Sequence, residues 1–206
     1  LAYAEFVRGR VAGALAAQGI DAPEIRMPHL SPPCSRRRAT LHAERIGAKV
    51  VIGFNGSQSH RIVDMRECHI LRPELFALVE PLRGLLGALL APRRQSRVTM
   101  TCADQGVDVA LEGVRIEGLA AQEALTDFAS ARGLARLALD EGYGSETRWE
   151  PEPTTLTLGG VAVGLPPGAF LQATADGEAA LVAAVIEAVG AVGTVADLFS
   201  GLGTFA

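Results

Sequence analysis

Two hydrophobic periods alternate along this chain of 206 residues, and their order predicts its elements. Tyr3, Phe6, Val7, Val11, Ala14 and Leu15 recur at helical spacing, and Gly19 is placed to stop that helix. Residues 21–33 then carry prolines at 23, 28, 32 and 33; each lacks a backbone donor and fixes φ, so an extended connection is expected. From Arg36 the period falls to two. Arg37, Ala39, Leu41 and Ala43 share one face, while Arg36, Arg38, Thr40, His42 and Glu44 share the other. Gly47 turns the chain into a Val-rich strand at 49–54, and Asn55-Gly56 turns it into a third extended stretch at 59–65, which predicts an antiparallel meander.

Pro73 suits the first turn of a helix, and Leu75, Leu78, Val79, Leu82, Leu85 and Leu89 continue one stripe as far as Pro92. Strands at 98–102 and 107–111 flank the turn Asp104-Gln105-Gly106 and open a second meander. A helix over 121–131 turns Leu125 and Phe128 inward and stops at Gly133, before an alternating segment at 134–139. Glycine, proline and charge crowd 142–153, which predicts a loop. A hairpin of 154–158 with 161–163 follows across Gly159-Gly160, then a helix over 175–189 with Asp176 and Glu178 in its first turn, where the dipole favours them. The last twelve residues predict a buried strand, 195–199, running into a Gly201-Leu202-Gly203 turn, the arrangement by which a doubly wound sheet brings backbone to a ligand. The fold class is therefore α/β: a helix and linker at 1–32, a central α+β domain at 33–150, and at 151–206 a hairpin, helix, first strand and glycine turn that open a Rossmann-like domain. Such a domain normally continues for ~100 residues or more, so the chain is expected to be a fragment cut as its cofactor site begins.

Composition narrows the class. At 49% hydrophobic and 20% charged the chain is an ordinary globular sequence, and a net charge of −4 provides no global attraction to nucleic acid, so RNA contact would need a local basic patch. Cys34, Cys68 and Cys102 are odd in number and form no CxxC pair, which fits a cytoplasmic location better than a disulfide framework. Neither a secretory signal nor a membrane span is expected: the longest apolar run, 179–199, holds Glu187 and Asp197. His60 and His69 have no carboxylate or second histidine at metal or triad spacing.

Five landmarks stand in order: Cys34-Ser35-Arg36-Arg37-Arg38-Ala39; Gly53-Phe54; Ser59-His60-Arg61-Ile62-Val63-Asp64 with Glu67-Cys68-His69-Ile70-Leu71; Pro167-Gly168-Ala169-Phe170-Leu171-Gln172; and Asp197-Leu198-Phe199-Ser200-Gly201-Leu202-Gly203-Thr204-Phe205. In this order they resemble the RNA uracil-5-methyltransferases, and most closely the iron–sulfur branch acting on 23S ribosomal RNA. The resemblance implies an S-adenosylmethionine site formed by Gln172, Asp197, Phe199, Gly201, Gly203 and Thr204. Where this chain has Ser200 and Thr204 the family often has cysteine and asparagine, so the glycines carry that reading more than the side chains do. Cys68 is implied as the fourth thiolate of a [4Fe–4S] cluster whose other ligands lie upstream of Leu1, so no intact cluster is expected on this chain alone.

Arg36, Arg37 and Arg38 are candidate phosphate contacts, with Arg93, Arg94 and Arg97 joining them if the fold brings them together. By the same resemblance a cysteine thiolate adds to C6 of the uracil, C5 takes the activated methyl group, and a base removes the C5 proton. No catalytic residue of that kind is assigned in this chain, which alone is expected to be inactive, and no obligate protein partner is expected. Two alternatives remain open: a non-catalytic RNA-binding module with a structural glycine turn, and a methyltransferase for another acceptor such as transfer RNA.

Overall fold

The computed structural model describes residues 2–21 and 24–205. Pro23 of the proline-rich connection and Leu1 lie outside the described residues. A six-stranded sheet dominates, built from β1 (Arg38–Ile46), β2 (Lys49–Gly53), β3 (Gln95–Ala103), β4 (Gly106–Glu112), β5 (Arg136–Asp140) and β6 (Ser145–Trp149) in the order β2-β1-β3-β4-β5-β6. The two-residue period predicted from Arg37 holds: Arg37, Ala39, Leu41 and Ala43 are buried, and the residues between them reach the other face. One face of the sheet is covered by α2 (Pro73–Phe76), α3 (Val79–Leu89) and α4 (Leu119–Ala131). Between them Leu41, Ile52, Leu75, Leu82, Leu86, Met100, Leu111, Leu125 and Leu137 form a dry core, and fully burying each of these side chains stabilises the fold by ~1.5–3 kcal/mol relative to exposure.

The predicted helix over 73–89 is two helices. Pro81 explains the break: within one continuous helix it could not donate to the Ala77 carbonyl and its ring would collide with it. Ending α2 at Phe76 puts Pro81 in the first turn of α3, where a missing N–H costs nothing. Residues 59–65 do not add a third meander strand. They still return along β2, with Val63 N donating to Phe54 O at 2.8 Å, Met65 N to Ile52 O at 2.9 Å and a bridge of Asn55 with Ile62, but the Ile52 N–H turns to the Asp64 carboxylate at 3.4 Å and no regular strand forms. Buried Arg83 holds this stretch by donating to Asp64, to Val50 O at 2.9 Å and to Met65 O at 2.7 Å.

The second half of the sheet is not a plain meander either. β4 and β5 are parallel, with α4 crossing between them, as a parallel pair requires. The expected loop 142–153 contains β6, an edge strand Ser-Glu-Thr-Arg-Trp whose charges suit an edge and whose polarity hides it from a hydrophobic pattern. Beyond the sheet lie the hairpin β7 (Thr155–Leu158) with β8 (Val161–Gly164) and the helix α5 (Ala175–Val189). Asp104, at the β3–β4 turn, accepts from Thr157 N and from the hydroxyls of Thr155 and Thr157, and so fastens the hairpin to the sheet.

At the two ends the predictions fare differently. The first helix forms as α1 (Ala2–Ala17), but Tyr3, Phe6 and Val11 are exposed and only Ala4 is buried. The predicted strand 195–199 does not form: the segment is exposed and irregular, with a turn at 198–199, since a central strand exists only by pairing with neighbours and none stands beside it among the described residues. Also among the described residues, no helix is long and apolar enough to cross a membrane.

Candidate functional site

The sequence landmarks that are far apart along the chain meet at one junction. Residues 34–37 run between 69–72 on one side and 172–174 on the other. Cys34 N donates to His69 O, Arg36 N to Ile70 O and Arg72 N to Arg36 O, each at 2.9 Å, and Arg37 N donates to Ala173 O at 2.8 Å. Isolated bridges join Arg36 to both Leu71 and Thr174. The cysteine-arginine motif, the Cys68 motif and the Gln172 motif are therefore hydrogen-bonded neighbours.

The three arginines separate by function. Arg37 is buried: its guanidinium donates to Glu178 Oε2 at 2.6 Å and to Gln172 O at 3.2 Å. That pairing takes Arg37 away from the surface and makes it the tie between β1 and α5. Arg36 is exposed and donates to Arg38 O, leaving part of its guanidinium open to solvent. Arg38 lies on the outer sheet face, lining a shallow groove of about 360 Å³ with Thr40, Arg97, Thr99 and Glu112. Arg97 lines the same groove from opposite His42, four residues along β1, and already donates to Glu112 at 2.8 Å. Arg93 and Arg94 do not: they stand at the far end of β1, beside Arg45. Glu178, which the sequence suggested only as a residue favoured by the helix dipole, is the partner that sequence reasoning missed.

Gln172 is half-buried, next to buried Leu171. Leu171 forms a small core with Leu156 and Leu158, and Leu202 packs against it. The glycine turn thereby comes to the Gln172 segment even though no strand precedes it. Gly201 and Gly203 have φ of +60° and +81°, the left-handed region in which a side chain is strained, and Gly203 N donates to Ser200 O at 2.9 Å. No atom stands within 4 Å of where a Cβ on Gly201 would lie, so the backbone there is open to an approaching group. Phe199, at φ +62°, and Asp197 point into solvent, and Thr204 is half-buried.

The same region is braced from the other side. Thr174 caps α5 by accepting from Gly177 N at 3.1 Å and meets the Ser31 hydroxyl at 2.7 Å. His29 lies 2.6 Å from Asp176, and Arg26 makes a two-pronged pair with Glu187. The hydrogen bond from His29 holds the Asp176 carboxyl at about 2. Residues 26–31 therefore run along α5.

Cys68 is half-buried against the core, and its sulfur accepts from Leu71 N at 3.4 Å. Such N–H···S bonds suit a thiolate ligand. Among the described residues, no group of three or more histidines, cysteines and carboxylates could hold a metal ion. Cys34 is exposed, and burial pushes the Cys102 thiol up from its ordinary value.

No family model matches the chain. An uncharacterized RNA methyltransferase of Zymomonas mobilis is 52% identical over 204 residues, covering 99% of this chain and 51% of that relative. Another from Rhizobium meliloti is 35% identical, over 99% of this chain and 48% of its own length. At 29% identity over 191 residues, 91% of this chain and 42% of that relative, stands the 23S rRNA (uracil(1939)-C(5))-methyltransferase RlmD of Pectobacterium carotovorum. The solved structure of Pyrococcus abyssi tRNA (uracil-54, C5)-methyltransferase in complex with S-adenosyl-L-homocysteine has the same fold, with a TM-score of 0.69 at 20% identity over 98% of this chain and 51% of that one. The chain is homologous throughout to proteins named RNA methyltransferases, and it spans about half the length of the curated relatives it matches.

Proposed function

We propose that this chain is part of an S-adenosylmethionine-dependent RNA methyltransferase that methylates C5 of a uridine, with 23S ribosomal RNA as the preferred substrate. The observation that carries the reading is the packing of Leu202 on the small core of Leu156, Leu158 and Leu171, which brings the open glycine turn to the segment that leads into Gln172, while Arg37 donates to the Gln172 carbonyl and joins that segment to the cysteine-arginine motif. When bound, the cofactor supplies an activated methyl group. Gly201 and Gly203 would meet it through backbone, and Gln172, Asp197, Phe199 and Thr204 would line it. The thiolate that adds to C6 and the base that removes the C5 proton are not assigned to these residues.

Preference for the ribosomal substrate rests on Cys68, whose half-buried sulfur with its N–H donor suits one position of a four-thiolate cluster. Isothermal calorimetry on the full-length protein should give a binding heat with S-adenosylmethionine; its absence would favour a non-catalytic RNA-binding module. Mapping 5-methyluridine in cells lacking the gene should show loss of a ribosomal mark. Loss of a transfer-RNA mark with ribosomal marks intact would overturn the substrate. Iron and sulfide analysis of the full-length protein should detect a cluster in the wild type and a depleted one in Cys68→Ser.

A further inference from the structure

A second basic site stands apart from the junction. At the end of the sheet where β1, β4 and β5 finish, Arg45, Arg93, Arg94 and Arg115 line a cleft of about 890 Å³ with two carboxylates, Glu117 and Glu141. The chain as a whole carries a charge of −4, so four arginines against two glutamates make this a local reversal of sign. None of the four arginines makes an ion pair among the described residues, unlike Arg37 and Arg97. Glu141 is partly engaged, since its Oε1 accepts from Ile116 N at 2.9 Å.

The cluster is also fixed by backbone rather than assembled from loose side chains. Arg93 N donates to Arg45 O at 2.8 Å, Arg45 N donates in return to Arg94 O at 3.3 Å, and the Arg45 guanidinium donates to Leu90 O. Arg93 has φ +61°, a conformation that usually selects glycine or asparagine. A costly backbone shape occupied by arginine, in a reciprocal clamp that holds two further arginines, points to a use for the side chains.

We infer that this cleft is a second anchor for the sugar-phosphate backbone of the RNA, distinct from the Arg36 and Arg38 end of the sheet. The inference rests on the proposed RNA substrate. Guanidinium groups bind phosphate in a bidentate manner, and four of them line this one cleft. Arg38 and Arg45 lie seven residues apart on β1, about 23 Å at ~3.3 Å per residue, and the odd spacing puts them on opposite faces, so an RNA strand reaching both would pass round the end of the sheet. RNA held at both ends would be oriented across the sheet before its target base reaches the chemistry.

The test uses full-length protein and a uridine-containing ribosomal RNA fragment, with affinity measured by fluorescence anisotropy across a salt series. Arg94→Ala/Arg115→Ala should weaken RNA binding by about tenfold or more and lower the slope of log affinity against log salt by about 1.4, as expected for two single-strand phosphate contacts. Arg94→Lys/Arg115→Lys should restore most of the slope. Thermal midpoint and calorimetric S-adenosylmethionine affinity should stay at wild-type values in both, and Arg8→Ala/Arg132→Ala, which removes the same charge elsewhere, should leave the slope unchanged. Unaltered affinity and slope in the alanine variant, with wild type binding RNA, would overturn the second anchor and leave the proposed function standing. Failure of wild type to bind RNA at all, with the methyl donor bound, would instead overturn the RNA reading on which the anchor rests. If millimolar inorganic phosphate abolishes the Arg94/Arg115 contribution while RNA competitors do not, the cleft is a small-anion site and the inference is wrong.

Discussion

Three side chains show how single residues hold this fold. Arg37 and Glu178 form a buried pair, so Arg37→Met leaves a carboxylate without its partner and should cost ~3–5 kcal/mol of stability in denaturant titration. Arg37→Met/Glu178→Leu should recover much of that loss, because an apolar replacement of both members removes the uncompensated charge. Gly53 belongs to one of the sequence landmarks, and its reason is steric: a methyl group there would overlap the Val63 carbonyl oxygen. Gly53→Ala should therefore destabilise by ~1–3 kcal/mol through displaced backbone. At Asp64, burial pushes the carboxyl up, but the Arg83 guanidinium and the Ile52 N–H outweigh it and hold it below its ordinary value. A lowered folded pKa adds stability above the unfolded value, and that stability is lost as pH falls through the folded one. The stability gap between wild type and Asp64→Asn should accordingly be full at pH 6 and shrink below about pH 4; a gap constant down to pH 2 would show that the charge is not what matters.

Elements were legible where burial leaves a period in the sequence, and illegible where pairing or a single proline decides. β1 was readable because its buried and open faces alternate residue by residue, and α5 because its apolar run opens on two acids, Asp176 and Glu178. β6 was not, since an edge strand of polar residues carries no hydrophobic period and is recognised only by its bonds to β5. The break between α2 and α3 was written in Pro81, but a continuous leucine stripe on both sides concealed it. The 195–199 segment failed for the opposite reason: its apolar pattern is that of a central strand, and pattern cannot supply the neighbouring strands. For α5 the cap is testable. Thr174→Ala removes the acceptor for Gly177 N and the Ser31 contact, which should cost ~1 kcal/mol and lower the thermal midpoint by a few degrees, with Thr174→Ser restoring most of it.

On the scale of the molecule, the junction decides what a lost arginine does. Sequence put Arg37 on the face opposite Arg36 and Arg38 yet kept all three as candidate phosphate contacts, because residue type and strand period say which face a side chain takes but not what waits there. What waits for Arg37 is α5 and the Gln172 carbonyl; what waits for Arg38 is the open sheet face. The two ends of the proposed reaction, methyl donor and RNA, should thus be separable by neighbouring substitutions in the full-length protein. Arg37→Met loosens the segment that carries Gln172, so it should raise the S-adenosylmethionine dissociation constant severalfold and speed amide exchange at Arg37 and across 172–178, while strands β3 and β4 keep their protection. Arg38→Ala should leave cofactor affinity unchanged and weaken RNA binding with a shallower salt dependence, by about 0.7 in slope for one phosphate contact on single-stranded RNA. Should Arg37→Met instead spare the cofactor and weaken RNA, the guanidinium must leave Glu178 to reach a phosphate, and the junction would have to open during binding.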